Sequence, residues 1–165
     1  LFKGPYHVDA LMRLPLVWRP APSAGISPAT VTRPVGIVDL APTFRSIAGL
    51  GPDERMQGSA LPVDDGDADA RGFERVLTEW DSELFGVGVH LRTITREGWV
   101  CTAYRPGAVH DGTEGELYDL TADPLQQDNR WDDPALAGLR SDLLADLAYH
   151  EPPTREPRLE CEAPV

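Results

Sequence analysis

The chain has 165 residues, 41% of them hydrophobic, with 27 Asp+Glu against 15 Lys+Arg and a formal net charge of −12. That length suits one domain, or one domain and part of another, and the apolar content supports a core, which excludes wholesale disorder. The acidic balance argues against a general nucleic-acid binder. No apolar run reaches the ~20 residues a bilayer span needs, and two cysteines, Cys101 and Cys161, are too few for a disulfide scaffold.

The charge is unevenly placed. Residues 1–50 carry five cations against two acids, a balance of +3, and the remainder carries −15. Lys3 is the one lysine; the other 14 cations are arginines. The opening Leu1-Phe2-Lys3-Gly4-Pro5 has neither an initiator Met nor the basic and apolar regions of a signal peptide, so a piece of a longer chain is the simpler expectation.

In chain order, Leu14 to Trp18 reads as a short buried strand, with Pro15 near its start. Arg19 to Pro34 holds repeated prolines that block both ladder and helix bonding, which predicts a surface loop. After a second apolar run, Val35 to Val38, Asp39 is a candidate N-cap with Pro42 in the first turn. A helix is predicted over 40–48, its apolar face Leu40, Phe44, Ile47 and Ala48, its stop at Gly49 and Gly51. Residues 53–72 are polar and acidic and read as a solvated linker. Strands are predicted over 75–80, 89–95, 99–104 and 116–120, the middle two forming a hairpin at Arg96-Glu97-Gly98. Asp132 or Asp133 caps a final amphipathic helix, with Pro134 at its first position and Leu136, Leu139, Leu143 and Leu147 along its apolar face. The second unit, 73–151, is thus a small α+β layer of four antiparallel strands and one helix, followed by a Pro- and Glu-rich tail, 152–165, expected to be poorly ordered.

Three segments together resemble the C-terminal third of a sulfatase, in the alkaline phosphatase superfamily. Lys3-Gly4 through Asp9 to Arg13-Leu14-Pro15 is similar to the family's Lys-Gly, spacer, acidic residue and Arg-Val-Pro. Asp39-Leu40-Ala41-Pro42-Thr43 with Ile47-Ala48-Gly49 is similar to its Asp-Leu-x-Pro-Thr helix. Glu116-Leu117-Tyr118-Asp119-Leu120, Asp123-Pro124 and Asn129 resemble the run before its last helix. Gln126 stands where the family usually has Glu, Arg130-Trp131 where it has Leu, and Leu14 replaces the commoner Val.

The resemblance implies an α/β, alkaline phosphatase-like fold, with residues 1–52 ending a large catalytic domain and 73–151 forming the small C-terminal domain. It implies a sulfuric ester hydrolase acting on a sulfated small molecule or carbohydrate. Its formylglycine nucleophile and divalent metal, calcium, would be held in an N-terminal catalytic region outside this sequence. Lys3 is then the catalytic cation against the sulfate oxygens, where a compact point charge with three donors is well suited. Asp9 and Arg13, four apart, are an ion pair supporting the Lys3 loop. His7, Trp80 and Asp81 are substrate-contact candidates, although satisfied packing is the plainer expectation for His7 and Trp80. A phosphonate monoester or phosphodiester hydrolase of the same superfamily is the alternative, as is a non-catalytic binding domain.

Two further patterns are rejected on sequence. Cys101-Thr102-Ala103-Tyr104-Arg105 superficially matches the nucleophile context but lies in a strand and downstream of Lys3. Asp65, Asp67 and Asp69 open like a calcium loop, but Ala70 and Val76 stand where that loop needs Gly and Glu. His90 and His110 read as surface or turn residues.

Overall fold

The computed structural model describes residues 6–84 and 86–152, and for Leu84 the backbone only. Lys3, Cys161 and all but the first residue of the predicted tail lie outside the described residues.

Four strands form an antiparallel meander in the order β1-β2-β3-β4: β1 Arg75–Leu84, β2 Val87–Arg96, β3 Trp99–Tyr104 and β4 Gly115–Asp119. The β2–β3 turn places Glu97 at φ 52° and Gly98 at φ 80°, the paired left-handed geometry of a two-residue hairpin turn. The register Leu77↔Ile94↔Cys101↔Leu117 sets four apolar side chains across one face. Helix α4, Ala137–His150, lies on that face and contributes Leu143 and Leu147 to the buried core, with Leu136, Leu139 and Leu144 flanking. Asp133 accepts from the Ala135 N–H at 2.8 Å and starts the short 3-10 turn Pro134–Leu136 that leads into α4.

The loop from β4 to α4 runs along β4's outer edge. Asn129 Oδ1 accepts from the backbone N–H of Leu117 and of Trp131, both at 3.0 Å, and its Nδ2 donates to Gly115 O at 3.1 Å. The Asn129 amide, together with the Arg130 N–H donating to Leu117 O at 2.8 Å, therefore pairs with an edge that would otherwise need a fifth strand. The Trp131 ring packs so closely on Gly115 that a β-carbon there has no room.

Helix α1, Asp9–Met12, precedes an extended segment, and α2, Leu40–Ile47, follows a 3-10 turn, Ile37–Asp39. The strand expected over Leu14–Trp18 does not form: Leu14, Leu16 and Val17 are exposed, because no described strand lies beside them to complete a ladder. Asp39 does not cap α2 with its side chain. Its carboxylate instead accepts from Gly36 N–H at 2.7 Å and Ser59 N–H at 2.9 Å. Thr43 Oγ1 donates to Asp39 O at 2.6 Å and accepts from Leu61 N–H at 2.7 Å, so these two residues stitch α2 to the segment after it.

The acidic stretch 53–72 is more than a solvated linker. It contains α3, Asp65–Ala70, and buries Leu61 and Ala68. It also clasps the cationic first segment: Asp65 accepts from Thr32 N–H at 2.6 Å and from its hydroxyl at 2.9 Å, Asp69 pairs with Arg33 at 2.5 Å, and Asp53 with Arg45 at 3.7 Å. Among the described residues no helix is long and apolar enough to cross a membrane.

Candidate functional site

The two faces of the sheet differ in chemistry. Below the apolar core, the α4 face carries an ion network. Arg75 and Arg96 both reach Asp146, at 3.0 and 2.6 Å, and Arg92 bridges Glu151 and Asp81, each at 2.9 Å. Burial alone would raise the Asp146 carboxyl, but hydrogen bonds from Arg96 and Arg75 outweigh it and hold the group below its ordinary range.

The opposite face is rich in hydroxyls. Register sets Thr78↔Thr93↔Thr102 side by side across three strands. Thr93 and Thr102 are buried, their hydroxyl oxygens 2.8 Å apart. On this ladder sits His7, only 4% exposed, with Nδ1 2.7 Å from Thr93 Oγ1. Burial first, and the Arg92 guanidinium second, push the His7 imidazole below its ordinary value, which favours the neutral ring. Two residues on, the Asp9 backbone N–H donates to Oε1 of the buried Gln126. Asp9 also pairs with Arg13 at 3.0 Å, within α1.

Between this N-terminal segment and β1 lies a cavity of about 250 Å³, lined by Tyr6, His7, Leu11, Met12, Thr78 and Trp80, with Glu79 at its rim. Trp80 is 39% exposed and donates from Nε1 to Ser82 Oγ at 2.8 Å. His7 and Trp80 thus meet in one cavity. Asp81 is the next residue along the strand and projects to the other face. There Arg92 grips it through both nitrogens at 3.0 and 2.9 Å, and His90 Nδ1 lies 2.8 Å away. The Arg92 hydrogen bonds chiefly hold the Asp81 carboxyl below its usual range. Both carboxylate oxygens are therefore occupied within the sheet.

Cys101 is fully buried in the core, and burial pushes its thiol up to about 12, so no nucleophilic thiolate forms near neutral pH. Among the described residues no group of three His, Cys, Asp or Glu side chains could hold a metal ion. In α3, Asp64 accepts from Asp67 N–H, and Asp67 takes Val63 N–H and Arg71, so the acidic run is spent on backbone and arginine partners. His7 and Gln126 were the residues least legible in sequence: their partners lie 86 and 117 positions away.

No family model matches the chain, and no curated protein matches it. Solved structures do. A protein of Bacteroides thetaiotaomicron VPI-5482 assigned as a sulfatase and BT1596, a 2-O GAG sulfatase, each match with 26% identity and a TM-score of 0.53, over 67% of this chain and 23% of theirs. The chain folds as the C-terminal portion of a sulfatase does. BT4656, solved with its substrate D-glucosamine-2-N,6-O-disulfate, shares the fold at 24% identity and a TM-score of 0.55, covering 67% of this chain. This sulfatase-like unit spans about a quarter of the length of the structures it matches.

Proposed function

We propose that the chain is the C-terminal portion of a sulfuric ester hydrolase. The observation that carries this reading is the likeness to two sulfatases at 26% identity over 67% of the chain. Sulfate-ester cleavage develops negative charge on the transferred oxygens and on the leaving oxygen. A preorganised ammonium stabilises that charge best where water is excluded. Lys3 supplies that cation in this reading. The organic part of the sulfated small molecule or carbohydrate rests, in this reading, against Trp80 and Tyr6 in the cavity beside β1.

The formylglycine nucleophile and a divalent metal, calcium, belong in this reading to residues outside the present sequence. Bound there, such a metal would supply Lewis-acid chemistry. Among the described residues no cluster of side chains fits a metal.

The test compares 4-nitrophenyl sulfate with bis(4-nitrophenyl) phosphate as substrates of the complete protein. Sulfate turnover is expected to dominate, and Lys3→Ala to lower it about 10²-fold or more with the fold intact. Faster phosphodiester cleavage replaces the sulfatase with a phosphodiester hydrolase, and an unaltered Lys3→Ala rate removes Lys3 from the site.

A further inference from the structure

We infer that segment 6–13 is a pH-released strap: neutral His7 seats it on the hydroxyl face and so closes the cavity beside β1, and protonation of His7 lets it go. The strap works in the same way whatever the cavity receives, so it does not depend on the sulfatase reading.

A single side chain roots this segment. Of residues 6–13 only His7 is buried; Tyr6 and all of Ala10 to Arg13 are exposed. Apolar burial therefore supplies little of the attachment. Two polar contacts carry it instead, His7 Nδ1 with Thr93 Oγ1 and Asp9 N–H with Gln126 Oε1. The ion pair of Asp9 with Arg13 closes within α1 and ties the segment to nothing else. Leu11 and Met12, with Tyr6 and His7, nevertheless wall the cavity whose other side is Thr78 and Trp80 of β1. A segment with so little buried surface is a unit of low local stability, and it leaves when its one buried ring leaves.

The seat suits a neutral ring and not a charged one. Thr93 Oγ1 lies 2.7 Å from His7 Nδ1 and 2.8 Å from Thr102 Oγ1, and hydroxyls both accept and donate, so the ladder pairs with either neutral tautomer. What it does not offer is a counter-charge. From β2, Arg92 adds a positive charge of its own. On β3 and β4 the titratable groups of this face are Tyr104, Glu116 and Tyr118, and Glu116 accepts the Tyr104 hydroxyl at 2.6 Å. In the loop that bears Gln126, the Asp123 carboxylate accepts from the Gln127 and Asp128 N–H groups at 2.7 and 2.9 Å. On β1, Glu79 stands at the cavity rim, and its charge acts on Arg92. Asp9, on the segment itself, is paired with Arg13 at 3.0 Å. These carboxylates are engaged elsewhere, and no described one is hydrogen-bonded to His7. Burial and the Arg92 guanidinium accordingly depress the imidazole. The second tether is no stronger, because Gln126 Nε2 is buried without a partner.

Released into water, the ring regains its ordinary value of 6.5. Protonation then favours the released form by a factor that is close to one at pH 7.5 and reaches about ten at pH 5.5.

The test is hydrogen exchange of the complete protein, read by peptide mass spectrometry. Peptides over 6–13 report the Asp9 amide held by Gln126 and the α1 amides of Leu11 and Met12. After correction for the intrinsic pH dependence of exchange, their protection is expected to be flat above pH 6.5 and to fall up to about tenfold by pH 5.5, while peptides over 91–104 keep theirs. A fall of less than about twofold overturns the strap. So does a fall shared by 91–104, which is global unfolding, or an onset below about pH 5, which belongs to a carboxylate such as Asp9 or Glu116. In His7→Asn, which carries no titrating ring, the pH dependence is expected to vanish; an undiminished fall overturns the assignment to His7. Thr93→Val is expected to lower protection of 6–13 about two- to tenfold already at pH 7.5. Were His7→Asn to leave the segment unprotected at every pH, the onset in the unsubstituted protein decides, since it identifies the titrating group. Acrylamide quenching of tryptophan emission is expected to rise over the same pH range and to lose that rise in Trp80→Phe. Release of the segment with Trp80 quenching unchanged would show that it does not close the cavity.

Discussion

At the scale of single residues, the motif letters do structural work that their identities alone do not disclose. Asn129 enters the sequence reading only as a letter of the run before the last helix; in the fold its amide pairs with the edge of β4. Asp39 reads as a helix cap, yet its carboxylate binds backbone N–H groups on both flanks of α2. Leu117, Gly115 and Ser59 lie 12, 14 and 20 positions from their partners, beyond the reach of a local pattern. Cys101 was legible, because strand alternation places it inward. Folded protein treated with iodoacetamide at pH 8 is expected to leave Cys101 unlabelled, and denatured protein to label it fully, as read by peptide mass spectrometry. Labelling of Cys101 in the native state would contradict a thiol pushed up to about 12 by burial. His7 gives a pH prediction with a definite sign. Its imidazole is depressed below the ordinary 6.5, so the folded state binds this proton less readily than the unfolded state. Its stabilising contribution is complete above pH 6.5 and falls away as pH drops toward the folded-state value. The decline in thermal midpoint from pH 7.5 to 5.5 is therefore expected to be shallower in His7→Asn than in the unsubstituted chain.

At the scale of elements, the four strands and final helix were legible, and the first fifty residues much less so. Alternation and a Glu97-Gly98 turn specify the meander locally, and leucines at helical spacing specify the face of α4. The Leu14–Val17 run has the same apolar letters as a strand, but a strand needs a neighbour, and none of the described strands provides one. Leu147→Ala removes a buried side chain beside Ile94 and Cys101, and is expected to cost about 2–5 kcal/mol in denaturant unfolding. Gly115→Ala is a sharper probe, because the Trp131 ring and the Thr102 carbonyl already occupy the space a methyl group would take. It is expected to destabilise the domain and change the near-ultraviolet signature of Trp131. An unchanged midpoint would mean that the 128–131 loop yields freely.

At the scale of the whole molecule, charge and apolar exposure divide the chain in the same place. The acidic surplus is not free solvent-facing charge throughout, since Asp53, Asp65 and Asp69 fold back onto Arg45, Thr32 and Arg33. Solvent screens these pairs, so they orient the 53–72 segment more than they stabilise it. Beyond that clasp, the first fifty residues leave their large apolar side chains in water: Val17 is 93% exposed, Phe44 65% and Ile47 63%, with Leu14, Leu16, Ile37 and Leu50 also exposed. In unit 73–151, by contrast, Ile94, Cys101, Leu117, Leu143 and Leu147 converge between the sheet and α4, although Leu125 and Tyr149 stay exposed. A monomer rarely leaves so many apolar residues uncovered without a surface to meet them. The 165-residue chain on its own is therefore expected to bind the dye ANS near neutral pH while its thermal transition stays cooperative. Phe44→Ser with Ile47→Ser is expected to reduce that fluorescence by half or more and leave the midpoint within about 2 °C, since neither side chain supports the described core. Dye binding that survives both substitutions would locate the exposed surface elsewhere. A lowered midpoint would show that α2 packs on these side chains after all.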